Sequence, residues 1–144
     1  MAVTVRRTIE IPRGVEEVFT YFSDFARTEE WDPGTRSTTR RDPGPVEVGA
    51  TWDNVSEFRG RETELVYVLT EKEPHRHLLF TGTNKTVTST DDMTFSGDAT
   101  RTTMTYVASL DLNGLAKLAG PFLKKGFEKV ADDTVEQIGK ALGA

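Results

Sequence analysis

This sequence predicts an α+β architecture: a seven-stranded antiparallel sheet wrapped around a long C-terminal helix, with two short helices after the first strand. Three patterns carry the prediction. Polar and apolar residues alternate at the N-terminus, turn-punctuated Thr, Val and aromatic runs fill the middle, and the last stretch returns to helical spacing.

Val3, Val5, Ile9 and Ile11 alternate with polar residues as a half-buried strand does, and Pro12 and Gly14 end it. Val15, Val18, Phe19 and Phe22 then fall at i, i+3, i+4, i+7, one apolar helical stripe. Ser23-Asp24 breaks that helix, and a second short one through Phe25–Glu30 leads into a polar loop carrying Trp31 beside Asp32-Pro33-Gly34. From Thr35 onward, Asp42-Pro43-Gly44-Pro45, Gly60, Glu73-Pro74, Asn84-Lys85 and Gly97-Asp98 punctuate about six more strands, an antiparallel meander. A short turn at 114–119 precedes the main helix, which starts near Pro121, where proline is tolerated, and runs over 121–142. Leu115, Leu118, Ala119, Phe122, Phe127, Val130, Ala131, Ile138, Ala141 and Leu142 share one face of this region. The other face predicts i, i+4 ion pairs Lys124–Glu128, Lys129–Asp133 and Glu136–Lys140, each worth about 0.2–0.5 kcal/mol. Mixed signs there speak for packing on a core rather than on a membrane surface. Only this helix is long enough to cover the sheet, and a sheet curled around one helix leaves room for a ligand cavity between them.

The 144 residues fit one domain, 1–144. A formal charge of −5 argues against a nucleic-acid surface, and zero cysteines exclude disulfides, thiolate nucleophiles and zinc–sulfur sites. No long apolar run suggests a signal peptide or membrane insertion, so the cytoplasm is the expected compartment.

The segments IPRGVEEVFTYFSDFARTEEW, VLTEKEPHRHLLFTGT, SGDATRTTMTYVASLDL and GLAKLAGPFLKK resemble the polyketide cyclase/dehydrase-like branch of the START/Bet v 1-like (SRPBCC) superfamily, along essentially the whole chain. The resemblance implies the helix-grip fold, a deep apolar cavity, and an aromatic residue after the two short helices, the position of Trp31. Members bind lipids, sterols, polyketides or hormones, and some cyclise polyketides.

Cavity candidates come from strand parity and from that resemblance. Trp52, Asn54, Ser56 and Phe58 share a face free of charge; Leu78 and Phe80 share another, as do Met93 and Phe95; Thr102, Met104, Tyr106, Ala108 and Leu110 form the cleanest stripe. In strand 64–69, Leu65, Tyr67 and Leu69 oppose Val66 and Val68, with the inward set open. The candidate ligand contacts are thus Phe22, Trp31, Trp52, Asn54, Ser56, Phe58, Tyr67, Phe80, Phe95, Met104, Tyr106, Phe122 and Phe127. For Trp31 two roles compete, cavity mouth or plain packing.

Catalytic constellations are scarce. His75 and His77 share one face of a strand start, lack a third ligand, and read as surface residues, so no metal and no cofactor are expected. Asp91-Asp92 and Asp132-Asp133 read as solvated, and Arg59 and Arg61 as rim residues beside Gly60. The function expected is a binding or carrier protein for an apolar or aromatic small molecule. The alternatives are a metal-free polyketide cyclase, aromatase or dehydratase and a regulatory or toxin-like protein acting through a protein partner.

Overall fold

The structure is a computed structural model that describes residues 2–58, 60–112 and 120–143, with the side chains of 2 and 120–123 left aside. Arg59, the expected turn at 114–119 with Leu115, Leu118 and Ala119, and the Phe122 side chain therefore lie outside the described residues.

Seven strands form one antiparallel sheet: β1 (Ala2–Ile11), β2 (Thr35–Arg40), β3 (Thr51–Phe58), β4 (Arg61–Glu73), β5 (His77–Thr83), β6 (Val87–Gly97) and β7 (Thr102–Leu112), in the order β1-β7-β6-β5-β4-β3-β2. The strands β2 to β7 are a meander, and β1 closes the order by pairing with β7 from Ala2↔Asp111 to Ile11↔Thr102. Register shifts at Leu69/Glu71 and Thr35/Ser37 mark irregularities that bend the sheet. Between β1 and β2 come α1 (Val15–Ser23), a 3-10 turn (Phe25–Arg27) and the single-turn α2 (Thr28–Trp31). Asp24 accepts from the Ala26 amide and so starts the second segment. Trp31 is the last residue of α2 rather than the tip of a loop, and it is buried.

The long helix α3 (Gly120–Leu142) is tied across the sheet by arginines of β1 and the loop after it. Arg7 donates to Glu128 Oε2 at 2.8 Å and Asp132 Oδ1 at 3.0 Å, and Arg13 donates to the Leu142 carbonyl at 2.9 Å. Of the three expected helix pairs, Lys129–Asp133 and Glu136–Lys140 form, while Glu128 is taken by Arg7 in place of Lys124. That choice follows from position: Arg7 is the less exposed partner and binds two helix carboxylates at once. Among the described helix side chains, Ala131, Ile138 and Leu142 are the apolar ones sunk into the core, which they share with Phe22, Trp31, Trp52, Leu69, Phe80, Met93 and Met104.

Candidate functional site: a cavity between sheet and helix

Strand parity sets the inner wall. In β4 the inward set is Leu65, Tyr67 and Leu69; in β6 it is Val87, Ser89, Asp91, Met93 and Phe95; in β7 it is Thr102, Met104, Tyr106 and Ala108. Where these strands meet one end of α3, a cavity of about 360 Å³ remains. Its inner wall includes Tyr67, Ser89, Asp91, Tyr106 and Ala108, and α3 contributes Phe127, Val130, Ala131 and Thr134. The rim comes from Asp32 and Gly34 after α2, Ser56 to Phe58, Arg61 and Thr63, Thr86, and Leu110 and Leu112.

Tyr67 can lie flat on the sheet because its cross-strand partner is Gly82. A Cβ at Gly82 would come within 2.6 Å of the phenol ring, too close for any side chain there. Phe25 stacks on the other side, its centroid 4.3 Å from that of Tyr67 and 4.5 Å from that of Phe80.

The polar groups converge on Asp91. Tyr106 Oη donates to Asp91 Oδ1, and Tyr67 Oη donates to Ser89 Oγ at 3.1 Å. Asp32, half-buried at the rim, accepts from the Gly34 amide at 3.0 Å and from Thr35 Oγ1 at 2.9 Å. Burial pushes the Asp91 carboxyl up to about 7, opposed by the Tyr106 hydrogen bond and reinforced by Asp32. Burial also raises Asp32, against its two hydrogen bonds, and raises both tyrosines, with the Asp91 charge adding to the shift.

Linkage gives this a measurable sign. The folded-state pKa of Asp91 lies above its unfolded value, so the native state holds an extra proton between about pH 4 and pH 7. Stability from this group is present at the acid end and is lost as pH rises through 7, a cost on the order of 4 kcal/mol when fully expressed. Thermal melting at pH 5.5 should exceed that at pH 8, and Asp91→Asn, which keeps an acceptor for Tyr106, should flatten the difference. A wild-type melting temperature that rises from pH 5.5 to 8 would contradict the buried carboxylate. The lowered carboxyls of Asp42, Asp98 and Glu30 act in the opposite sense, but only as pH falls through their lower range.

Of the candidates from the sequence, Ser56, Phe58, Tyr67, Tyr106 and Phe127 line this cavity. Phe22, Trp31, Trp52, Phe80, Phe95 and Met104 pack in the core instead and are not among its lining residues. Trp31 sits one ring contact away, edge-on to Tyr106 at 5.8 Å and to Phe22 at 5.4 Å. Asn54 is consumed in a buried network: its Nδ2 donates to Thr38 Oγ1, Thr38 and Thr28 share a hydrogen bond, and Ser56 donates to Asn54 Oδ1. Thr102 likewise donates to the Arg13 carbonyl. Polar parity alone does not distinguish a ligand contact from an internal tie.

Two expectations are corrected. Asp91 is not solvated; it is 7% exposed, while its neighbour Asp92 faces outward and bonds His77 Nε2 at 2.8 Å. The sign was present in the sequence: extending the Met93/Phe95 parity back two residues reaches Asp91, a charge on an apolar stripe. The histidines do not share a face either. His75 lies in the β4–β5 turn at φ 63°, edge-on to Phe19 at 5.6 Å, whereas His77 opens β5. Arg61 is exposed at the cavity rim, as its place beside Gly60 suggests.

Among the described residues, no group of three or more His, Asp or Glu side chains is placed to hold a metal ion. EDTA should therefore leave the melting temperature unchanged; a drop of several degrees would reveal a structural ion. No helix among the described residues is long and apolar enough to cross a membrane.

A seven-stranded antiparallel sheet gripping a C-terminal helix, with a cavity between them, defines the helix-grip class of the START/Bet v 1-like superfamily. The chain belongs to the polyketide cyclase/dehydrase and lipid transport family, which it matches over residues 2–143. Its fold is similar to the Zhui aromatase/cyclase from Streptomyces sp. R1128, with TM-score 0.79 and 13% identity over 98% of this chain and 94% of that one. It is also similar to a START superfamily protein from Mycobacterium smegmatis, with TM-score 0.73, 15% identity and coverage of 96% and 93%. A protein of Thermus thermophilus aligns with TM-score 0.70 and 14% identity over 96% of this chain and 98% of its own. No curated protein matches the chain in sequence.

Proposed function

We propose that the protein binds an apolar or aromatic small molecule in the cavity between sheet and helix. The observation that carries this is the cavity itself: about 360 Å³, largely apolar walls, and polar groups gathered at Asp91, Tyr106 and Tyr67. That combination of volume and lining is typical of small-molecule sites. Family membership supports the same class, as lipid transport stands beside cyclisation in its description.

Nile red, a neutral apolar dye, should bind with near one-to-one stoichiometry, and Phe127→Ala should weaken it by removing a wall. Absence of binding would overturn the reading. Native mass spectrometry of protein purified from its own host would identify what the cavity carries.

A cyclase or dehydratase activity is the second reading, favoured by one observation: a buried carboxyl titrating near neutrality and held by a tyrosine, the kind of group acid–base chemistry uses. Under that reading Asp91→Asn abolishes turnover while dye binding persists. Action through a protein partner draws little support: among the described residues, Val48 is the exposed large hydrophobic.

A further inference from the structure

We propose that the molecule this cavity accepts carries a protonated amine, which pairs with the cavity-facing oxygen of Asp91 while its apolar body lies against Tyr67, Phe127 and Val130. The inference rests on the reading of the cavity as a ligand site and adds the chemical class of its occupant.

The geometry of hydrogen-bond donors and acceptors leads to it. Asp91 Oδ1 is occupied by Tyr106, and no side chain among the described residues donates to Oδ2. Oδ2 is not a sealed, unsatisfied atom either: among the described residues, Trp31 Nε1 alone is in that state. The free oxygen therefore opens onto the cavity. The two tyrosine hydrogens are already spent, one on Asp91 and one on Ser89; the Ser89 hydroxyl keeps its own hydrogen, and with Asp91 ionised the acceptor sites at the inner end of the cavity outnumber the donors. A ligand head that brings its own donors completes the site; a carboxylate head would have the Ser89 hydroxyl to accept from but would face the charge of Asp91 when that group is ionised.

Charge points the same way. Among the described residues, the titratable groups facing the cavity are Asp32, Glu57, Asp91, Tyr67, Tyr106 and Arg61, with Arg61 out at the exposed rim. The helix adds Phe127, Val130, Ala131 and Thr134, and β1 adds Val5, none of them charged. Asp32 reinforces the negative potential at Asp91, which in the empty cavity is relieved by taking up a proton. An ammonium replaces that proton. Binding should then release a proton near neutral pH and tighten as pH rises through the range of Asp91.

A matched set of naphthalene probes tests this: 2-naphthylmethylamine, 2-naphthalenemethanol and 2-naphthoate, titrated calorimetrically at pH 6 and pH 8. At pH 8 the amine should bind about tenfold tighter than the alcohol and about a hundredfold tighter than the carboxylate, as expected for a charge-assisted bond. Its affinity should fall about tenfold at pH 6 as Asp91 takes up its proton, while the alcohol stays level. Asp91→Asn should bring amine and alcohol within about threefold of each other. Alcohol or carboxylate binding as tightly as the amine overturns the inference and leaves the cavity reading standing, as does an amine preference that survives in Asp91→Asn. Failure of all three probes overturns the cavity reading and the inference with it. If the variant does not fold, the wild-type pH profile decides, and a flat amine affinity from pH 6 to 8 overturns the proposal.

Discussion

Ile138→Asp should remove the cooperative melting transition or lower it by roughly 10–20 °C, the largest effect expected of any single substitution here. Ile138 is fully buried on the sheet-facing side of α3. Aspartate in that place loses the whole apolar transfer energy and buries a carboxylate with no partner, a cost of about 4 kcal/mol or more. Against a total stability of about 5–15 kcal/mol for an ordinary domain, little would remain. Phe127→Asp provides the control on the same helix. Phe127 is half-buried and opens onto the cavity, so its carboxylate can reach water, and about 1–2 kcal/mol is the expected loss. Its position on the helical stripe would suggest a much larger one. Circular dichroism melts of both variants decide the matter: equal, small losses would mean that α3 is not packed on the sheet as described.

Trp31→Ala should cost about 3–5 kcal/mol, a value typical of deleting a buried aromatic. The indole is 1% exposed and makes edge contacts with Phe22 and Tyr106. Trp52→Ala should cost at least as much. Trp52 is also fully buried, donates from Nε1 to Asp24 at 3.3 Å, and carries the Arg40 guanidinium 5.3 Å above its ring. Trp31 Nε1, by contrast, has no partner. Trp31→Phe should therefore lose far less than Trp31→Ala, because it keeps an aromatic filler and removes a buried donor that bonds to nothing. Neither tryptophan lines the cavity, so Nile red affinity per folded molecule should change little in either alanine variant. Melting and dye titration on the three variants test this together. A Trp31→Ala protein that melts normally and binds dye weakly would move the indole to the cavity mouth.

Local pattern was enough for most of the architecture. Period-two alternation in Val3–Ile11 and in Thr102–Leu110, helical spacing from Val15 to Phe22 and from Phe127 to Leu142, and turn residues at Gly60, Pro74 and Asn84 each specify an element from its own neighbours. The cavity wall was legible for the same reason where a stripe runs unbroken, as with Tyr106, Ser56 and Phe58. Tertiary structure decided the rest. Whether Trp31 faces a ligand depends on how a single turn of helix lands beside Tyr106, and Glu128 pairs with Arg7 because β1 lies within reach. Asp91 shows the division most clearly. Its parity is a property of the chain, but its burial, its tyrosine partner fifteen residues away and its near-neutral titration arise only when β6, β7 and the Asp32 loop close over one space. Backbone periodicity is a local force and can be read along the chain; desolvation and pairing are set by which distant groups share a volume, and that is settled only by the fold.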